Sequence, residues 1–204
     1  MSAPLVPVDR QHPQPRTVEH AVEALRDGGL LCYPSDTTYA LGCDAHQRRA
    51  VERLAQLKRR DPRKPFALLV PDLSDLARYA QVSNFAYRVV RQLAPGPFTF
   101  VLPATRLVPE LLLHRRREVG LRIPDAPVAR ALAVELGRPL VTTTATDAGG
   151  APIPDAPTVR DVYGHGLAQV LDAGLRSGEQ STLLSLIDDR LEVLRPGAGV
   201  LEGF

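Results

Sequence analysis

The chain has 204 residues, 44% of them apolar, and a formal net charge of +2 from 25 basic and 23 acidic side chains. That composition suits one globular domain with a sizeable core, and it excludes a disordered chain or one that binds nucleic acid through bulk charge. No run of 18 successive apolar residues and no signal-like N-terminal stretch occurs, which predicts a cytoplasmic protein without membrane contact.

Residues 1–16 carry Pro4, Pro7, Pro13 and Pro15 without periodicity and read as an extended arm, followed by a single domain over 17–204. Thr17 reads as the N-cap of a helix with Val18, Ala21, Val22 and Leu25 on one face and Gly28 past its end. A short strand, Leu30 to Tyr33, stops at Pro34. Ala50, Val51, Leu54, Ala55 and Leu57 predict a second helix. Phe66 to Val70 reads as a buried strand, followed by helices over Leu73–Ala80 and Phe85–Leu93 and the turn Pro95-Gly96-Pro97. Strands are predicted at Phe98–Leu102 and Val119–Ile123, then a helix from near Asp125, with Pro127 in its first turn, to Gly137. Leu140–Thr144 is a strand and Val159–Tyr163 is helix-like. Strands follow at Gln169–Asp172, Thr182–Ile187 and Leu191–Leu194. Elements alternate without clean regularity, which predicts an α/β fold, a twisted open sheet of mixed direction with flanking helices.

Of the 25 basic residues only Lys58 and Lys64 are lysine, and both fall within Leu57–Phe66; the other 23 are arginine. Arginine offers a planar fork and lysine a compact point charge, so two lysines retained together point to an oxyanion such as phosphate or bicarbonate. Eight basic residues lie between Arg48 and Lys64, against Glu52 and Asp61. This segment sits at a helix C-terminus, whose dipole repels anions, so Lys58, Arg60 and Lys64 must supply the positive field themselves. Arg115, Arg116 and Arg117 form a second basic cluster that reads as a solvated face. Cys32 and Cys43 are too few for a disulfide framework and read as small buried hydrophobes.

Three further segments carry site chemistry. Ser35, Asp36, Thr37 and Thr38 follow a strand, where open α/β sheets bind ligands; the alternative there is an ordinary turn and helix cap. Thr142 to Thr146, followed by Gly149 and Gly150, suits phosphate or ribose, although threonine runs also favour strands. Arg122 lies inside an apolar strand, which is unfavourable unless it is paired or faces a ligand. Arg195 stands at a strand end, and Ser181-Thr182 offers hydroxyls to the same cleft. No Walker loop, dinucleotide glycine fingerprint, zinc spacing or nucleophile-base pair occurs. The chemistry implied is anion holding and charge neutralisation, as in adenylate-forming or phosphoryl transfer.

In order along the chain, Tyr33 to Leu41, Lys58 to Pro65, Pro95 to Thr99, Gly120 to Pro124, Ser181-Thr182 and Arg195-Pro196-Gly197 resemble the motifs of the YrdC/YciO family of threonylcarbamoyl-adenylate synthases. The resemblance runs from about Val18 to Gly197. It implies a YrdC-like fold with a concave basic surface, and an enzyme joining threonine, bicarbonate and ATP with release of pyrophosphate. It further implies magnesium arriving with ATP, a link to threonylcarbamoyladenosine in tRNA, and tRNA, double-stranded RNA or tRNA-modification proteins as partners. Lys58 and Arg60 would act on the phosphates and the bicarbonate-derived carboxylate. Lys64, Thr144, Thr146, Ser181 and Arg195 would complete the nucleotide site, and Thr37 and Arg122 would hold threonine. Thr144-Ala145-Thr146 stands where the synthases carry Ser-Ala-Asn, Ala40 where they carry glycine, and Asp61 where they carry proline. These departures are similar to the YciO branch and imply altered or reduced activity. Two alternatives accompany this: a hydrolase of the same adenylate, and an RNA-binding module without turnover resting on the Arg48–Lys64 and Arg115–Arg117 clusters.

Overall fold

The computed structural model describes residues 2–59, 65–113 and 116–201. Among these residues ten strands form one mixed sheet: β1 (Leu5–Pro7), β2 (Leu31–Pro34), β3 (Tyr39–Asp44), β4 (Ala67–Leu69), β5 (Phe98–Pro103), β6 (Glu118–Arg122), β7 (Leu140–Thr144), β8 (Gln169–Asp172), β9 (Thr182–Ser185) and β10 (Glu192–Arg195). Six helices flank it: α1 (Pro15–Arg26), α2 (Arg48–Leu57), α3 (Leu73–Tyr79), α4 (Asn84–Leu93), α5 (Pro127–Leu136) and α6 (Ala156–Tyr163). Across the sheet the order is β1-β8-β2-β3-β7-β4-β6-β5-β9-β10. Four neighbouring pairs are parallel (β1/β8, β2/β8, β4/β6, β5/β9) and the rest antiparallel. This is the mixed α/β sheet that the irregular alternation predicts.

Period-two alternation sends successive side chains to two separate cores. In β2, Leu31 and Tyr33 pack with α1 and α5, through Val22, Leu25, Ala129 and Leu132. Cys32, between them, faces the opposite core, to which α2, α3, α4 and α6 contribute Leu54, Leu76, Val90 and Val159. Each fully buried leucine stabilises the fold by roughly 1.5–3 kcal/mol relative to exposure.

Four expectations change. Tyr39–Asp44, where no strand is predicted, is strand β3, lying between β2 and β7 and buried along its whole length. Burial on both faces removes the polar-apolar alternation that marks a strand in sequence. Gly42 is required there, because a Cβ would lie 2.5 Å from the Val141 carbonyl oxygen. Residues 5–7 of the N-terminal stretch are extended but hydrogen-bonded into the sheet edge beside β8, where proline is tolerated. Helix α1 starts at Pro15 after Gln14, not at Thr17, because proline preorganises the first helical turn. The predicted strand over Thr182–Ile187 ends at Ser185 and passes into a short 3-10 turn, Ile187–Asp189. Gly137 closes α5 with φ of 68°, as the sequence suggests.

Candidate functional site

Helices α1 and α5 cover only part of their face of the sheet. In β5, Phe98, Phe100 and Leu102 point into the opposite core, as do Val119 and Leu121 of β6 and Leu184 of β9. Alternation therefore turns Thr99, Arg122 and Leu183 toward the uncovered face. There they line a cavity of about 370 Å³ together with Ser35, Lys58, Thr144, Thr146, Ser181 and Arg195.

One corner is built by the β2–β3 turn against the end of β6. The turn is closed by a hydrogen bond from Ser35 N–H to the Thr38 carbonyl at 2.9 Å. Ser35 Oγ donates to the same carbonyl at 2.8 Å and accepts from the Thr37 and Thr38 N–H groups, each at 3.2 Å. This rigid turn presents Asp36 and Thr37 to Arg122, whose Nη2 donates to Asp36 Oδ1 at 2.5 Å and to Thr37 Oγ1 at 3.0 Å. Asp36 Oδ2 also accepts from the Asp125 N–H at 3.2 Å, just before α5. Buried Arg122 Nε has no hydrogen-bond partner among the described residues. An unsatisfied buried donor costs about 1–3 kcal/mol, so this one is suited to an acceptor brought by a ligand.

A second corner carries hydroxyls and a second guanidinium. Thr99 Oγ1 and Ser181 Oγ share a hydrogen bond of 3.0 Å, both buried. Arg195 belongs to the exposed edge strand β10, but its Nη2 reaches inward to the Ser181 carbonyl at 2.7 Å. Burial of the guanidinium, and then the like charge of Arg122, draw the Arg195 pKa below its ordinary value. Two arginines that disfavour one another across a polar cavity are stabilised by an anion.

The third corner is Lys58, the C-cap of α2. Its Nζ donates to Thr146 Oγ1 at 2.7 Å and to the Tyr163 hydroxyl at 3.0 Å. Among the described residues no group of three or more His, Cys, Asp or Glu could hold a metal ion, and no helix is long and apolar enough to cross a membrane.

Seven of the residues singled out in the sequence thus meet around one cavity or its rim: Thr37, Lys58, Arg122, Thr144, Thr146, Ser181 and Arg195. Arg60, Lys64 and Arg115 lie outside the described residues. Sequence reasoning did not assign roles to Thr99, Tyr33 or Tyr163. Thr99 has a signal, since it is the one hydroxyl between Phe98 and Phe100 on an otherwise apolar strand. Tyr33 donates to Thr142 Oγ1 at 2.8 Å, and Tyr163 meets Lys58 from 105 residues away. Neither partner is foreseeable from local pattern. His46 is exposed and away from the cavity. Cys32 and Cys43 are both buried and free.

The family model Sua5_yciO_yrdC, described as "Telomere recombination", matches residues 23–197. The uncharacterized protein YciO of Escherichia coli (strain K12) is 34% identical over 195 residues, covering 95% of each chain. The crystal structure of E. coli YciO matches with a TM-score of 0.93 at 32% identity, covering 97% of each chain. The threonylcarbamoyl-AMP synthase of Coxiella burnetii (strain RSA 493 / Nine Mile phase I) is 29% identical over 161 residues, 78% of this chain and 87% of that one. P. abyssi Sua5, in its crystal structure complexed with L-threonine, matches with a TM-score of 0.88 at 26% identity, covering 95% of this chain and 57% of that one.

Proposed function

This chain belongs to the Sua5_yciO_yrdC family, and from that premise we propose that it is an ATP-using enzyme of the threonylcarbamoyl-adenylate type. Its substrates are threonine, bicarbonate and ATP, and its products threonylcarbamoyl-adenylate, pyrophosphate and water. The observation that carries this is Arg122, a buried guanidinium with an unused Nε–H, beside the Thr37 hydroxyl and in the same cavity as Lys58 and Arg195. The free Nε–H suits one oxygen of the threonine carboxylate, with Thr37 offering a further hydrogen bond. Relatives named threonylcarbamoyl-AMP synthase and a Sua5 crystallised with L-threonine support the assignment.

In this chemistry the threonine amine attacks the carbon of bicarbonate and water leaves, giving a carbamate. A carboxylate oxygen of the carbamate then attacks the α-phosphorus of ATP, and the bond to the pyrophosphate oxygen breaks. The protein's part is to hold anions in line and offset their charge. Lys58 and Arg195 do so here, with Arg60 and Lys64 assigned to the same phosphates. Ser181, Thr144 and Thr146 contribute hydroxyls to the nucleotide. Magnesium enters bound to the ATP phosphates and adds positive charge along them. The threonylcarbamoyl group is then destined for an adenosine of tRNA, in the cytoplasm.

The test is to incubate the protein with ATP, magnesium, bicarbonate and threonine, following pyrophosphate and the adenylate by mass spectrometry. Product from the wild type that disappears with Lys58→Ala supports the synthase. Absence of product with ATP still binding overturns it. Supplied adenylate then tests for the hydrolase.

A further inference from the structure

Lys58 is held before any ligand arrives. Its ammonium donates to Thr146 Oγ1 at 2.7 Å and to the Tyr163 hydroxyl at 3.0 Å, with Nζ 5.1 Å from the centroid of the Tyr163 ring. Tyr163 is the last residue of α6 and is only 7% exposed. Its own hydroxyl donates to the Thr146 carbonyl at 2.5 Å. The three residues therefore form a closed ring of hydrogen bonds. Two ammonium hydrogens go to hydroxyl oxygens, the phenolic hydrogen goes to a backbone carbonyl, and one ammonium hydrogen is left over.

The ring stands between two cavities. Lys58, Thr146 and Gly150 line both the cleft described above and a second cavity of about 620 Å³, which Tyr163 and His165 also line. Without restraint, a lysine at such a partition samples either side. Its flexible stem carries about 2 kcal/mol of rotamer entropy, part of which is lost whenever a ligand orders it.

The chemistry of the partners matters as much as their geometry. Hydroxyls orient an ammonium without cancelling its charge, whereas a carboxylate would do both. Asp147, next to Thr146, is turned to another task, since its Oδ1 accepts the Ala151 N–H at 2.9 Å. We infer that Tyr163 is a positioning residue that, with Thr146, holds the Lys58 ammonium in place with its full charge available to the phosphate chain of ATP. The inference rests on the assignment of the cleft as the ATP site.

Only two lysines occur in the chain, so amine acetylation followed by peptide mass spectrometry reads Lys58 directly. Lys64 and the α-amino group serve as references. Tyr163→Phe keeps the ring and removes the hydroxyl. The expected result is Lys58 acetylation about fivefold faster than in the wild type, the equivalent of one hydrogen bond, with both references unchanged. ATP affinity falls about as much, and ATP protects Lys58 in the wild type. Thr146→Val, which removes the other acceptor, moves Lys58 in the same direction and decides the matter if Tyr163→Phe misfolds and speeds all three amines. Unchanged Lys58 acetylation in either folded variant overturns the positioning role, whatever happens to ATP. Faster Lys58 acetylation in the variants, when the wild type itself binds no ATP, leaves the ring intact and overturns the nucleotide site instead.

Discussion

Arg122 Nη2 lies 2.5 Å from Asp36 Oδ1, joining the end of β6 to the β2–β3 turn across 86 residues of chain. The two side chains are 10% and 9% exposed. Removing one member of a buried ion pair leaves the other charge uncompensated, which costs about 3–5 kcal/mol. Asp36→Ala should therefore lower the unfolding free energy by about that amount. Urea denaturation followed by circular dichroism measures it, and a loss below about 1 kcal/mol would contradict an enclosed pair.

Arg122→Lys retains charge but discards the planar fork and its Nε–H. Threonine affinity, measured by calorimetry, should fall at least about tenfold, since hydrogen bonds to charged groups contribute about 1.5–3 kcal/mol. ATP affinity should stay within about threefold, because in this assignment the phosphates rest on Lys58 and Arg195. Equal losses for both ligands would mean that Arg122 shapes the whole cavity and does not select the amino acid.

Lys58→Ala and Ser181→Ala should separate charge from hydroxyl. Losing the ammonium removes charge-assisted bonds and should weaken ATP by about 10- to 100-fold. Losing the Ser181 hydroxyl, already shared with Thr99 at 3.0 Å, should cost about fivefold. Titrating ATP into each variant at fixed magnesium gives the comparison, and the reverse ranking would refute the assignment of Lys58 to the phosphates.

The cysteines set an alkaline limit. Burial, and then the Asp44 carboxylate, push the Cys43 thiol from 9.0 up to about 12. Burial also raises the Cys32 thiol. The folded state thus keeps protons that the unfolded chain releases, so stability is full below about pH 9 and falls as pH rises toward 12. The slope reaches about 1.4 kcal/mol per pH unit for each fully displaced thiol. Urea midpoints at pH 8, 9 and 10 should decline, and Cys43→Ala should flatten that decline. At pH 8 both thiols should react with a disulfide reagent only on unfolding; rapid reaction in the folded state would show them accessible.

Much of this protein is legible from the chain alone, and the reason is local physics. Helix faces such as Val18, Ala21, Val22 and Leu25 follow from a 3.6-residue period, and Pro127 and Gly137 bound α5 by their own backbone preferences. Arg122 betrays itself as a charge in an apolar strand, and the isolated lysines mark the basic segment. The family resemblance carried by the ordered motifs agrees with the family match over 23–197. Strand β3 stayed hidden because burial on both faces erases alternation, and β1 because three residues at a sheet edge carry too little pattern.

What only the tertiary structure decided is which of these groups meet. Asp36 and Arg122, Thr99 and Ser181, and Lys58 and Tyr163 are separated by 86, 82 and 105 residues. Their contacts depend on a sheet order that interleaves strands distant in sequence, and period and propensity act over a few residues only. Hydrogen-bonded ladders between those strands bring two arginines and several hydroxyls to one uncovered face, and the end of α2 adds Lys58.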